Sequence, residues 1–108
     1  MSSIQGIISK TISAKTTFGQ AHDTSVMLFY SGSFYNGSGA TLTIVLEMNT
    51  FSSGATNIKI DNGQKVLFHN LPIVSIDLQT GGPVIFLATE ASVPLKDIPN
   101  LIPEIRYD

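Results

Sequence analysis

Thr41-Leu-Thr-Ile-Val-Leu-Glu-Met-Asn-Thr50 decides the fold class. Leu42, Ile44, Leu46 and Met48 alternate with Thr43, Val45, Glu47 and Asn49. Successive side chains of a strand point to opposite faces, so this period of two gives one apolar face and one largely polar face. A half-buried strand of that kind belongs to an antiparallel sheet lying on a core.

Working outward, the run Val26-Met-Leu-Phe-Tyr30 is apolar without alternation, which predicts a strand covered on both faces. The Gly- and Ser-rich stretch 31–39 reads as its connection to the strand at 41–50. Downstream, a short strand around Ile58 and Ile60 leads into Asp61-Asn62-Gly63, where Asn and Gly accept positive φ and close a hairpin onto a strand at 65–69. Asn70-Leu71-Pro72 breaks that run, a strand resumes over 73–78, Gln79-Thr-Gly-Gly-Pro83 turns, and 84–91 is the last core strand. Runs spaced by about ten residues and separated by turn residues are the signature of a sandwich. The expectation is an all-β antiparallel sandwich, jelly-roll or immunoglobulin-like, of seven to eight strands with an extended N-terminal arm. Residues 1–20 form the arm or first strand, 21–92 the core and 93–108 a proline-punctuated tail.

The two ends carry the functional signal. Ile4, Ile8, Ile12 and Phe18 fall on one parity of a mostly β-branched segment that Lys10 interrupts. Such a segment is either the first strand of the domain's own sheet or a donor strand that completes a neighbour's sheet. In the tail, prolines at 94, 99 and 103 cannot donate to a ladder, which confines the segment to an edge or to the surface. Leu95, Ile98, Leu101, Ile102 and Ile105 are nevertheless too apolar for a solvated tail, and they need the domain's own sandwich or the next subunit to lie on.

Composition narrows the classes. The 108 residues suffice for one modest core, burying roughly two thirds of the unfolded chain's surface. Six basic and eight acidic residues are scattered singly, with a net charge of -2 and no basic stripe, so neither nucleic acid nor an anionic membrane is an expected partner. Without cysteine there are no disulfides, thiolate metal sites or thiol nucleophiles. No basic segment with a signal-length apolar run opens the chain, and nothing approaches the ~20 apolar residues of a membrane helix. Synthesis in the cytoplasm without a cleaved signal is the expectation, with a cell, spore or virion surface as a further destination.

Little in the chain carries chemistry. His22 with Asp23, and His69, are the only starting points for a metal or nucleophile site, and none of the HxH, HExxH or GxSxG patterns occurs. Glu47, Asp77 and Glu90 sit on expected strands, where two facing one surface would imitate a glycosidase pair, but a solvated sheet face is the simpler reading. No catalytic residue, metal or cofactor is expected, and the chain does not read as an enzyme. Phe34, Tyr35 and Asn36 form a candidate ligand loop, because aromatic, Ser, Gly and Asn residues give binding loops rigid contact area with adaptable hydrogen bonds. Asn36-Gly37-Ser38 also spells a glycosylation sequon.

The stretch Gly63-Gln-Lys-Val-Leu-Phe68-His-Asn70-Leu71-Pro-Ile-Val74-Ser-Ile76, with a strand returning after Gly82-Pro83-Val84, resembles the late strands of the self-polymerising β-sandwich subunits of Bacillus-type endospore appendages. The likeness spans about a quarter of the chain. It implies a homo-polymer built by strand augmentation through an N-terminal connector. This chain departs in having no cysteine, and subunits of that family use cysteines to cross-link the fibre. Phage and virus shell or fibre proteins share the composition. The functional expectation is a structural subunit that self-assembles by β-strand augmentation into a filament, appendage or virion component. The alternative is a carbohydrate-binding, lectin-like module.

Overall fold

The alternation at 41–50 is realised as a strand whose Leu42, Ile44 and Leu46 are fully buried while Thr43, Val45 and Glu47 face outward. The computed structural model describes residues 3–18, 24–49 and 55–108. Along them the strands are β1 (Ser3–Ile12), β2 (Thr16–Thr17), β3 (Val26–Tyr35), β4 (Leu42–Met48), β5 (Ala55–Ile60), β6 (Lys65–Leu71), β7 (Ile73–Thr80), β8 (Val84–Pro94) and β9 (Glu104–Tyr107). A 3-10 helix (Leu95–Asn100) precedes β9.

All pairings are antiparallel, and they nest: β4 with β5, β3 with β6, β2 with β7, β1 with β8. Such nesting describes one long hairpin with the β4–β5 connection at its tip, rolled so that successive pairs fall alternately into two sheets. The sheets have the orders β1-β8-β3-β6-β9 and β2-β7-β4-β5. This is the eight-stranded jelly roll, two packed antiparallel sheets, with β9 added beside β6. The fold is the all-β sandwich read from the sequence, with nine strands among the described residues against the expected seven to eight.

The ninth strand comes from the tail. Pro103 immediately precedes β9, so the proline that cannot enter a ladder sits just outside it and Glu104–Tyr107 is free to pair. At the other end, β3 continues through Tyr35, so much of the Gly-rich stretch expected to be a connection is strand. Gly32 is required within it. A Cβ there would collide with the Leu87 carbonyl oxygen, so the close passage of β3 beside β8 admits only glycine.

The main core lies between the sheets. Phe34 meets Phe68 and Phe86 at centroid separations of 4.9 and 5.3 Å, and Phe18 lies 5.5 Å from Phe86 and 5.2 Å from Tyr30. A second cluster forms on the outer face of the five-stranded sheet. There Phe29 and Val93 are covered by Ile98 of the 3-10 helix, with Met27 and Leu101 packed alongside. Leu28 and Tyr30 face the main core from the same strand. The unbroken apolar run 26–30 is therefore covered on both sides, by the opposite sheet and by the tail.

Candidate functional site

Beyond that second cluster, no described residue covers the outer face of the five-stranded sheet. Register places Thr11, Ile85, Tyr35 and Lys65 in one row across β1, β8, β3 and β6, and Ser9, Leu87, Ser33, Leu67 and Arg106 in the next. Ile7 and Thr89 begin a third row. Ile7 is 76% exposed, Leu87 48% and Ile85 44%. Aliphatic side chains interspersed with hydroxyl and charged groups make a mixed surface.

A β-bulge shapes one corner. Tyr30 pairs with Leu71 and Gly32 with Phe68, so β6 carries an extra residue between two pairs that are only two residues apart on β3. Asn70 takes φ 54°, a left-handed conformation that Asn tolerates better than most residues, and its N–H donates to Ser31 Oγ at 3.0 Å. The bulge opens a shallow groove of about 440 Å³ lined by Ser31, Leu67, His69, Glu104 and Arg106. The Ser31 hydroxyl oxygen, as acceptor of the Asn70 N–H, helps to fix the bulge. Among the described residues, no three His, Asp or Glu side chains are grouped to hold a metal ion. The groove can offer a ligand hydrogen bonds and charge through Ser31, His69, Glu104 and Arg106.

The residues singled out in the sequence are dispersed. Phe34 is fully buried among the core rings and Asn36 is fully buried as well, which leaves Tyr35, 37% exposed, as the one surface side chain of the expected ligand loop. Asn36 is instead a structural hub. Its Nδ2 donates to the carbonyls of Ala40 (2.7 Å) and Ile60 (2.8 Å), and its Oδ1 accepts from Ser38 N–H (3.0 Å) and Ser38 Oγ (2.7 Å). Its backbone bonds to Gln64 and Gly63. Every polar atom is thus engaged: the bonds to Ile60, Gly63 and Gln64 join the end of β3 to the β5–β6 turn, those to Ser38 and Ala40 fix the β3–β4 connection, and the sequon nitrogen is inaccessible. The signal was there to find: an Asn followed by Gly and Ser after an aromatic strand is a turn-fixing residue as readily as a binding one.

The acidic trio does not converge. Glu47 and Asp77 lie on the outer face of the four-stranded sheet, where Glu47 meets Lys15 at 3.5 Å, whereas Glu90 is on β8 of the other sheet and accepts the Tyr30 hydroxyl at 3.0 Å. Burial and the Glu90 carboxylate together push the Tyr30 phenol well above its ordinary range. His69 is on the surface of β6; His22 and Asp23 lie outside the described residues.

The N-terminal segment pairs within its own chain. β1 lies along β8 from Ser3 opposite Ser92 to Ile12 opposite Val84, with Ile4 opposite Ala91 and a bulge between Ile4 and Gly6. Ile12 and Phe18 are buried in the main core and Ile8 packs against it, so these side chains do not stand free to fill a neighbour's groove. Lys10, the interruption in the pattern, lies 5.7 Å over the Phe18 ring. In the tail, Ile98 is buried, Leu101 half-buried and Ile105 packed against the main core, while Leu95 is 49% and Ile102 75% exposed.

With the tail folded back on one edge and the arm lying along the other, the five-stranded sheet ends in β1 and β9. β1 is ten residues long, carries one charge and no proline, and has no partner along its outer side among the described residues. β9 is four residues long, follows a proline and carries Glu104 and Arg106. No described helix is long and apolar enough to cross a membrane. Comparison of the chain with known protein families, with curated proteins and with solved structures finds no match.

Proposed function

We propose that the protein is a structural subunit that associates with copies of itself by β-strand augmentation, through the outer edge of β1. The observation that carries this reading is the state of that edge. A long strand with unpaired N–H and C=O groups is a template for another strand, and soluble proteins usually blunt such edges with charge, proline or brevity. β1 has Lys10 and the bulge at Ile4 and Gly6, and from Ile7 to Ile12 the edge is regular. The likeness of residues 63–76 to endospore-appendage subunits agrees with the same reading, as does a surface with few charges to repel a copy. A filament, appendage or virion component is the class of assembly proposed. The lectin-like alternative is left with Tyr35 alone of its three residues and is the weaker reading.

Removing residues 1–15 is a poor test, because it deletes Ile12 from the core and leaves β8 uncovered. The informative variant keeps β1 and charges it: Ile7→Lys with Ser9→Lys, both on the exposed face of the strand. Negative-stain electron microscopy and light scattering should show assemblies of the wild-type protein and dispersed, folded particles of the variant. Equal assembly by both would remove β1 from the account.

A further inference from the structure

The two sheets differ in the parity of their strands. In the four-stranded sheet β2-β7-β4-β5 every neighbour is antiparallel, so the edge strands β2 and β5 run in opposite directions. In the five-stranded sheet the same rule makes the two edge strands, β1 and β9, run in the same direction. Two copies placed side by side in the same orientation would therefore join β5 to β2 antiparallel but would set β9 against β1 in parallel. Antiparallel pairing continues the existing sheet, and a lone parallel pair is less favourable per residue. With β9 lifted away, the exposed edge is β6, which runs opposite to β1. Both sheets would then continue antiparallel across the same boundary.

We infer that the edge of β6 is the acceptor for β1 of a second copy, and that β9 occupies this acceptor in the isolated chain and must leave it for head-to-tail growth. The inference rests on the proposed self-association through β1. β9 is suited to leaving. It pairs along one side only, over Val66 to His69, while β6 extends for seven residues that the ten of β1 can cover. Ile105 packs against the core, and Glu104, Arg106 and Tyr107 are exposed. Pro103 and the exposed Ile102 connect it to the 3-10 helix, which stays anchored by Ile98. The incoming strand restores the ladder that β9 gives up, so no buried backbone group is left without a partner.

The test clamps and loosens β9 in the full-length chain. Leu67 and Arg106 are directly opposed on the outer face, and the protein has no other cysteine, so Leu67→Cys with Arg106→Cys gives a switchable clamp. Oxidised, it should remain dispersed under conditions where the reduced form assembles. Ile105→Asp, which weakens the hold of β9, should assemble at roughly five- to tenfold lower protein concentration than wild type, the shift expected from losing one partly buried aliphatic contact. Circular dichroism verifies that each variant is folded. Assembly of the oxidised clamp equal to that of the reduced form overturns the inference. So does a folded Ile105→Asp protein whose threshold is unchanged or higher. The Ile7→Lys/Ser9→Lys variant separates the two ideas. If it is dispersed while the oxidised clamp assembles, β1 association stands and the role of β9 falls; if it assembles as wild type does, association through β1 itself is wrong.

Discussion

At one margin of the five-stranded sheet β1 lies along β8 over its whole length and sends Ile8 and Ile12 toward the core; at the other, β9 touches β6 over four residues and contributes Ile105. The first edge is firmly attached and has no partner among the described residues, and the second is lightly attached and guarded by a proline and charges. An edge strand that is both strongly held and unprotected is suited to bind something. One that is weakly held and protected is suited to be displaced.

The contrast in attachment can be broken by side-chain truncation. Ile12→Ala should cost about 2–4 kcal/mol of stability, since it empties a buried site between β1 and the rings of the core. On the β6 side the frame is polar, and Asn36→Ala should cost about 2–3 kcal/mol by stranding the Ile60 carbonyl and freeing the β5–β6 turn. Ile105→Ala should cost only about 1 kcal/mol, because the site is partly open. Urea denaturation measures all three. A cost for Ile105→Ala equal to that for Ile12→Ala would erase the asymmetry.

Tyr30 sits between the edges and probes the sheet they share. Its folded-state pKa is raised above that of the unfolded chain, so its stabilisation is complete below the unfolded value of about 10 and is lost as pH rises above it. Stability should fall on the alkaline side, and Tyr30→Phe should lose about 1 kcal/mol at neutral pH while flattening that fall. The smallest effect on stability belongs to Ile7→Lys, within about 0.5 kcal/mol because the side chain is in solvent. Its effect on association is expected to be large, and that separation between stability and assembly sharpens the comparison most.

The fold was legible wherever period and punctuation agreed. The alternation at 41–50 and the Asp61-Asn62-Gly63 turn, closed by Gln64 N–H to the Asp61 carbonyl at 2.9 Å, reappear as β4 and the β5–β6 hairpin. Strand order was not legible, because nesting of pairs is a property of long-range register that no local pattern encodes. β9 was hidden for a different reason: it follows prolines at 99 and 103, and its four residues are too few to show a period. The candidate site was less readable still. Phe34 and Asn36 carry the composition of a binding loop, yet a strand parity shared with Phe86 turns Phe34 inward, and five hydrogen-bonding neighbours absorb Asn36. The groove at His69, Glu104 and Arg106 exists only because the bulge and β9 bring together residues 35 or more apart in sequence.

Amide hydrogen exchange of the full-length protein across a concentration series tests the central claim most directly, because it reads which backbone groups become paired on association. The account predicts that amides of β1 between Ile7 and Ile12 that point away from β8 gain protection as concentration rises, while those bonded to β8 are unchanged. Particles that grow with no added protection in β1 would place the contact elsewhere and contradict it, as would a protein that stays monomeric throughout.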